Sequence, residues 1–413
     1  MKIPGREVLE KIYGEFDVSG ARYEKLAEKF ESLFHRDDAE FFTAPGRTEI
    51  VGNHTDHNGG KILAASIDMD TIGAAASNTT GVITIISEGY SKPIVVDLKN
   101  LADAPKEQGS VSLVAGMAEA VQSMGYRVGG FDAYVSTEVI PSAGVSSSAS
   151  FEMLVCAILN YFYNENRMTY AEYARIGQYA ENHFWNKASG LMDQMACAAG
   201  GAILLDFSDG VKCEKRAFSF SDYGYELVIV NTGKGHADLS AEYSSIPNEM
   251  KAVAAELGVS LLCESSKAAL MEKLPEIRKK LGNDRAILRA LHFYTENERV
   301  EEIDAAIAAG DKDAILAVLT ASGNSSWKWL QNCHVATAHE EQSICMALAL
   351  TEMFLKEIGD GACRIHGGGF AGVIMAAVPK ERVEEYKAYI GRLVGEENVH
   401  PMNIRQTGAV HVE

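Results

Sequence analysis

The sequence lacks the features that mark membrane, secreted and nucleic-acid-binding proteins. No run of about 18 apolar residues occurs, and the N-terminal segment has no apolar stretch of the kind found in signal peptides. The 57 acidic residues outnumber the 38 basic ones, which gives a net charge of −19, and no block of Lys and Arg interrupts this acidity. Such a surface repels a polyanion. These absences predict a cytoplasmic protein with no nucleic-acid and no membrane partner.

Cysteine is scarce, and its pattern argues against disulfides and zinc. The seven cysteines are odd in number and scattered, and no C-x-x-C pair occurs, which favours a reducing compartment. Cys333, His334 and His339 stand near one another in the sequence. Two histidines five residues apart do not share a helix face, so we do not predict a metal site from them.

Two common nucleotide-binding sequences are also missing. The Walker pattern G-x-x-x-x-G-K-[ST] does not occur. Gly367, Gly369 and Gly372 match G-x-G-x-x-G, but a Rossmann fingerprint needs a helix next, and residues 373–378 are typical of a strand ended by Pro379. The cluster therefore predicts a β-turn against a ligand cleft, or simply a tight hairpin. An ATP site would have to use another loop.

The length and the periodicities that are present predict two α/β domains. A chain of 413 residues with 47% hydrophobic residues exceeds one ordinary core, so we expect domains at 1–205 and 206–413 with the active site in the cleft between them. Apolar spacing predicts helices over the first 35 residues, after Leu113, after Ser148, and over most of the stretch from Asn231 to Leu355. Strands are predicted at Glu40–Thr43, Val82–Ile86, Ile94–Leu98, Phe131–Thr137, Ala202–Phe207, Leu227–Asn231, Ala362–His366 and Val373–Val378.

The segment from Pro141 to Ser150 places small residues where a loop becomes a helix. Free backbone N–H groups at a helix start, aligned with the positive end of the helix dipole, form a site for phosphate. Small side chains allow the phosphate to approach, and serine hydroxyls can bind phosphate oxygens or Mg²⁺. A serine-capped helix without a ligand is the alternative.

Four segments in this order resemble the galactokinases of the GHMP kinase superfamily. They are residues 45–60 (PGRTEIVGNHTDHNGG), residues 144–150 (GVSSSAS), residues 180–182 (AEN) together with residues 190–194 (GLMDQ), and residues 367–372 (GGGFAG). The resemblance runs from about residue 20 to residue 380. It implies an α+β two-domain kinase fold with an N-terminal mixed-sheet domain. It also implies ATP and Mg²⁺ as cofactors, a small sugar as substrate and a monomeric protein.

The resemblance also implies roles for individual residues. Asp193 matches the base that accepts the proton of the anomeric hydroxyl, and Arg47 matches the cation beside it. Glu181 would hold Mg²⁺ together with Ser146 or Ser147. The phosphate-binding positions are Gly144, Ser146, Ser147, Ser148 and Ala149, and the sugar-binding positions are Asn53, His54, Asp56, Gly190 and Tyr243. Taken singly, Asp193 could be a helix N-cap and Tyr243 a buried aromatic.

The departures from the family pattern cluster around the sugar positions. Galactokinases usually have Asn at the position of Glu49 and Glu at that of Asn53, and Tyr where this chain has His57. Asn186 and Ser189 replace residues that are often Gly and Cys, and the arginines common after Tyr243 are missing. We expect phosphorylation of the 1-hydroxyl of α-D-galactose. A modified galactose such as galacturonate or N-acetylgalactosamine, a non-catalytic galactose and ATP sensor, and a kinase of a non-sugar remain as alternatives.

Overall fold

The structure is a computed structural model that describes residues 1–141, 143–187, 189–233, 239–370 and 372–413. Ser142 and Ala371, which belong to two of the predicted glycine-rich and serine-rich loops, lie outside the described residues. The α-helices are α1 (Arg6–Tyr13), α2 (Asp17–Phe34), α3 (Ser110–Ser123), α4 (Ser147–Asn164), α5 (Tyr170–Phe184), α6 (Met192–Ala199), α7 (Ser240–Leu257), α8 (Lys267–Leu281), α9 (Asp284–Ala309), α10 (Lys312–Ser325), α11 (Ser343–Ile358) and α12 (Val383–Val394). The strands are β1 (Glu40–Val51), β2 (Lys61–Ser77), β3 (Val82–Ser87), β4 (Ile94–Asp97), β5 (Phe131–Thr137), β6 (Ala202–Asp206), β7 (Lys212–Arg216), β8 (Tyr225–Asn231), β9 (Ala362–Ile365), β10 (Val373–Pro379), β11 (Val399–Met402) and β12 (Val410–His411).

The larger sheet is mixed and is built around the long strand β2. Its order is β12-β1-β2-β5-β3-β4, and β6 and β7 extend it because β6 pairs with the first residues of β2 while β5 pairs with the last. The pair β3 and β5 is parallel and the other pairs are antiparallel. Helices α4 and α6 pack on β1 and β2. The predicted mixed α/β architecture is confirmed.

Strand β1 runs further than the sequence predicted, and its irregularities aim the side chains of the site. The prediction ended at Thr43 because proline and glycine follow, but the strand continues to Val51 with register shifts between Pro45 and Arg47 and between Glu49 and Val51. A bulge admits a proline that a regular ladder would exclude. Between the shifts the pairing with β2 is regular, so Arg47 and Glu49 point to one face of the sheet.

The smaller sheet is antiparallel, with the order β11-β8-β10-β9, and helices α11 and α12 pack on it. The chain leaves the larger sheet after Arg216, enters the smaller one at Tyr225, and returns to the larger sheet in β12, which pairs with β1. The predicted division at residues 205 and 206 stays a prediction. Helix α9 packs on α7, α10, β1 and β2, so it joins the two parts of the chain.

In the described ranges, no helix is both long and apolar enough to cross a membrane. The strands β2, β7, β11 and β12 are additions to the sequence prediction. Strand β2 escaped notice because nearly all of its residues are buried, on both faces, which removes the polar alternation that marks a half-exposed strand.

Candidate active site

Arg47, Asp193 and Ser146 form the centre of the candidate site. Nε of Arg47 donates to Oδ1 of Asp193 over 2.8 Å, and Oγ of Ser146 donates to Oδ2 over 2.5 Å. The Arg47 guanidinium also donates to the carbonyl of Gly144. Three distant sequence segments, β1, the loop before α4 and the first turn of α6, are therefore joined at one carboxylate.

The charge on Asp193 is fixed by its neighbours. Burial alone would raise the pKa of this carboxyl, but the Arg47 guanidinium and the Ser146 hydroxyl outweigh it and lower the pKa to about 2. Asp193 is therefore ionised throughout the neutral range. An ionised carboxylate can accept a hydrogen bond from a hydroxyl group and orient it for attack.

The loop before α4 has the geometry of an anion site. Gly144 (φ 67°) and Ser146 (φ 59°) both adopt left-handed backbone conformations, and the Ser146 side chain points to Asp193 instead of capping the helix. The first amides of α4 have no partner within the helix. Ser147 and Ser148 are partly exposed at this helix start and Ala149 is buried, so the segment where the sequence predicted phosphate binding is partly exposed.

Glu181 lies in a buried cluster beside Asp193. It is 1% exposed, Oε1 accepts from Nζ of Lys187 over 2.7 Å, and Oε2 accepts from Nε2 of Gln194 over 3.3 Å. The same amide of Gln194 donates to Glu152 over 3.2 Å. Burial, reinforced by the charge of Glu181, raises the pKa of Glu152 to about 8. One carboxyl of this pair is therefore neutral at pH 7.

A cavity of about 280 Å³ opens in front of these residues. Most of its lining residues carry polar or charged side chains, as expected for a sugar site, and it joins residues of β1 and the loop after it to the segment before α6 and to the glycine cluster. Its lining comprises Arg47, Glu49, Asn53, His54, Asp56, His57, Glu181, Lys187, Ser189, Gly190, Met192, Asp193, Gln194, Gly367 and Gly368.

Four of the predicted sugar positions line this cavity, namely Asn53, His54, Asp56 and Gly190. Nε2 of His54 lies 2.9 Å from the carbonyl of Gly368, and burial, with the charge of His57, lowers the pKa of His54 to about 4. His54 is therefore neutral at pH 7. A Cβ at Gly190 would lie 2.6 Å from Oδ2 of Asp56, so a larger residue at this position would displace that carboxylate.

Tyr243 lies behind the glycine cluster. Its hydroxyl donates to the carbonyl of Gly369 over 3.0 Å, and its ring would be 2.5 Å from a Cβ at Gly368. It therefore supports the cavity wall at Gly368. A direct contact between Tyr243 and the sugar stays a prediction.

A second cavity, of about 240 Å³, lies on the other side of the loop before α4. Its lining includes Ser147 and Ser148 and the aromatic side chains of Tyr90, Phe151 and Trp185. Ser146 donates a hydrogen bond to Asp193, which lines the first cavity, whereas Ser147 and Ser148 line the second cavity. The predicted phosphate loop therefore separates a polar cavity from a more apolar one.

The sequence analysis assigned no role to several residues of the site, namely Glu152, Lys187, Gln194 and the aromatic residues of the second cavity. Glu152 carried a signal, since it is an isolated carboxylate in the apolar helix α4, where its neighbours Phe151, Met153 and Leu154 are partly or fully buried. A charge on such a face is almost never buried without a function or a partner. The other residues carry no signal that spacing could reveal.

Comparisons with known proteins were consistent across sequence and structure. A family model described as the galactokinase galactose-binding signature matches residues 28–77, and one described as the GHMP kinases N terminal domain matches residues 112–201. A galactokinase of Lactococcus lactis subsp. lactis is 30% identical over 378 residues, which is 90% of this chain and 91% of that protein. A galactokinase of Clostridium tetani is 26% identical and covers 88% of this chain and 90% of its own length.

Among solved structures, Lactococcus lactis galactokinase complexed with galactose matches with a TM-score of 0.79 and 27% identity. The match covers 94% of this chain and 99% of that protein. The Methanococcus jannaschii mevalonate kinase matches with a TM-score of 0.62 and 17% identity over 90% of this chain and all of the other. The second likeness concerns the fold alone.

Proposed function

Because this chain belongs to the galactokinase family of the GHMP kinases, we propose that it transfers the γ-phosphoryl group of ATP to the 1-hydroxyl of α-D-galactose. The products are galactose 1-phosphate and ADP. The observation that carries the proposal is the contact of Asp193 with both Arg47 and Ser146. This contact lies between a polar cavity for the sugar and a partly exposed loop for the phosphates.

The residues divide the chemistry of phosphoryl transfer among them. Asp193 accepts the hydrogen bond of the 1-hydroxyl and takes its proton, while Arg47 stabilises the negative charge on the transferred group. Such transfer needs positioning and charge neutralisation more than covalent catalysis. The amides at the start of α4 bind the phosphates. The second cavity would hold the adenine between Phe151 and Trp185, which line its wall.

Magnesium fits the oxygen atoms that Glu181 and Ser146 offer. The ammonium group of Lys187 binds Glu181 over 2.7 Å, and this pairing of the buried carboxylate with a cation supports the proposal. In the part of the chain that the structure describes, no group of three or more His, Cys, Asp or Glu residues could hold a metal alone, so nucleotide phosphates would complete the ligand set. Bound Mg²⁺ would neutralise charge on those phosphates.

The magnesium assignment can be tested by two variants with opposite effects. Glu181→Gln should raise the Mg²⁺ concentration needed for half-maximal ATP binding, read from the fluorescence of Trp185 beside the second cavity. Lys187→Met removes the competing ammonium group and should lower that concentration. If both variants show the Mg²⁺ dependence of the wild type, Glu181 has a structural role only.

The proposed activity itself is tested by a coupled assay for ADP. Galactose should stimulate ADP release above the rate without sugar, and galacturonate, N-acetylgalactosamine, arabinose and glucose should stimulate it less. A sensor would bind galactose and ATP without turnover. A kinase of a non-sugar would release no ADP with any of these compounds. A monomeric state and a cytoplasmic location stay predictions.

A further inference from the structure

We propose that Glu49, rather than Asn53, is the side chain of this pair that accepts a hydrogen bond from a hydroxyl group of the sugar. The inference rests on the function proposed above and names a specificity-determining residue for it. It starts from the exchange of residue types at positions 49 and 53, which places the carboxylate on β1 and the amide in the following loop.

The amide of Asn53 has no hydrogen-bonding capacity left for a ligand. Its Nδ2 donates to Oε1 of Glu49 over 3.0 Å and to the carbonyl of Gly367 over 2.8 Å. Its Oδ1 accepts from Nδ2 of Asn332 over 2.9 Å and from Oγ of Ser326 over 3.4 Å. A side-chain amide offers two donors and two acceptor positions, so all four are in use.

The backbone of Asn53 is held as firmly as its side chain. Nε2 of His292 lies 2.9 Å from the carbonyl oxygen, and the Asn53 amide donates to Glu296 over 3.4 Å. The whole residue is 0% exposed. Freeing the side chain for a sugar would break hydrogen bonds in a buried site, which is costly. The hydrogen bonds of Asn53 therefore connect β1, α9 and the glycine cluster, which is a structural role.

Glu49 has the capacity that Asn53 lacks. Its Oε1 accepts from Asn53 and from Nη2 of Arg364, each over 3.0 Å. Among the described residues, no hydrogen bond reaches Oε2. A carboxylate accepts at both oxygens, and Glu49 lines the polar cavity on the same face of β1 as Arg47. Oε2 is therefore available to a hydroxyl group in that cavity.

The pair with Arg364 makes the carboxylate a fixed feature of the cavity wall. Both side chains are almost fully buried, at 0% and 5% exposure for Arg364 and Glu49. Nη1 of Arg364 also donates to the carbonyl of Ile50 over 2.7 Å, which locks the guanidinium to β1. A carboxylate held in this way cannot swing away from a ligand.

This placement also discriminates against acidic sugars. Glu49 shares the cavity with the carboxylates of Asp56, Glu181 and Asp193, and the two basic side chains there, Arg47 and Lys187, are paired with Asp193 and Glu181. A second carboxylate next to Glu49 would be repelled. We therefore expect this chain to prefer neutral galactose to galacturonate.

The test is a cycle that combines protein variants with substrate variants. The binding of galactose and of its 2-, 3-, 4- and 6-deoxy analogues is measured by calorimetry, and their turnover is measured separately, with wild type and Glu49→Gln. Galactose should bind about 10-fold or more weakly to the variant, as for a lost hydrogen bond to a charged group. One deoxy analogue should bind equally to both proteins, because it lacks the hydroxyl group that Glu49 contacts.

Two further variants keep the test informative if the buried Arg364 charge impairs folding. Glu49→Gln combined with Arg364→Met removes both charges together. The exchange of Glu49→Asn with Asn53→Glu returns the carboxylate to position 53. The exchange variant should recover galactose binding if one carboxylate at this wall is what the sugar needs.

The outcomes decide separately on the role of Glu49 and on the proposed kinase function. Equal losses for galactose and all four analogues would overturn the assignment of Glu49, as would an unchanged affinity for galactose. An unchanged ratio of galactose to galacturonate affinity in Glu49→Gln would overturn the charge discrimination. If the wild type binds galactose without turnover, the proposed kinase function fails while the binding cycle still decides the role of Glu49. Absence of any sugar binding overturns both.

Discussion

At the scale of single residues, the site depends on how Asp193 is held. Arg47 and Ser146 occupy its two oxygens and keep its pKa near 2, so the carboxylate is charged before any substrate arrives. Its orientation is set by contacts from two other segments of the chain, so the proposed acceptor of the 1-hydroxyl needs no rearrangement of the backbone.

We expect Asp193→Asn to fold normally and to lose 10²-fold or more in kcat, because an amide cannot take the proton of the hydroxyl. Since Asp193 is ionised at all neutral pH values, the loss should be the same factor at pH 6 and at pH 8. The measurement is steady-state ADP release, with ATP binding as the control for folding. Turnover like that of the wild type would remove Asp193 from the mechanism.

The raised pKa of Glu152 predicts that the free energy of unfolding depends on pH. Its pKa is raised to about 8 in the folded protein, against about 4.3 in the unfolded chain. Between these values the folded state holds a proton that the unfolded state has lost. The contribution to stability is therefore fully present below about pH 4.3 and is lost as the pH rises from there to about 8.

Glu152→Gln removes this titration with little change in shape. The free energy of unfolding, measured with urea from pH 5 to pH 8, should decrease less steeply with pH in the variant than in the wild type. The variant should gain most over the wild type at pH 8. Parallel curves for the two proteins would show that Glu152 does not titrate in this range.

At the scale of secondary structure elements, the junction between the loop and α4 (Ser147–Asn164) is the proposed phosphate site. Gly144 has a φ of 67°, and a Cβ there would lie 3.0 Å from Nδ1 of the buried His366. Gly144→Ala should therefore strain the loop, at a cost of about 1–2 kcal/mol for the left-handed backbone, and should raise the KM for ATP more than the KM for the sugar.

Gly125→Ala is the matched control, because Gly125 has a φ of 84° but nothing lies within 4 Å of the added methyl group. It should lose stability without a selective effect on ATP. Steady-state kinetics with varied ATP and varied galactose distinguishes the two variants. Equal changes in both KM values for Gly144→Ala would contradict a phosphate role for this loop.

The positions of the helices and strands could be predicted from the sequence for some elements and not for others. Strong apolar periodicity and Gly-rich boundaries located α2, α4, β5 and β10 within a few residues. The prediction of β1 stopped at Pro45, because one-dimensional rules treat proline as a strand breaker and cannot foresee the bulge that admits it. The strands β7, β11 and β12 are short, with two to five residues each, and are defined by their partners.

The site was predictable only in part, because some of its contacts join side chains of different helices. The motif resemblance named Arg47, Asp193, Glu181 and the loop residues, and the structure brings these together. Nothing in the spacing of positions 152, 181 and 194 indicates that their side chains meet through one amide. Contacts of this kind depend on how helices pack, which a pattern within one helix does not encode.

At the scale of the whole molecule, α9 (Asp284–Ala309) connects the loop after β1 to the C-terminal half of the chain. Glu296, which is 0% exposed, accepts hydrogen bonds from the amide of Gly52 over 3.2 Å and from the Ser322 hydroxyl. Arg299 donates to its other oxygen over 2.7 Å. A single buried carboxylate therefore holds the loop after β1 against helices α9 and α10.

We expect Glu296→Gln to destabilise the protein by about 3–5 kcal/mol, because it breaks a buried charge network, and to weaken sugar binding while leaving the KM for ATP nearly unchanged. Glu298→Gln on the same helix is the control, since its bridge to Lys267 is half-exposed and contributes at most about 1 kcal/mol. Thermal unfolding and sugar titrations measure both effects. If Glu296→Gln is less stable but binds the sugar as tightly as the wild type, the hydrogen bonds of Glu296 do not contribute to sugar binding.

The return of the chain in β12 has a consequence for biosynthesis. Strand β12 covers the outer edge of β1, with Phe42 opposite His411 and Thr43 opposite Val410, yet about 360 residues separate the two strands in the sequence. At ribosomal rates of 5–20 residues per second, that edge stays uncovered for roughly 20–70 s of translation. The nascent chain thus presents an open strand edge, the kind of surface that recruits other chains, until Val410 and His411 emerge from the ribosome.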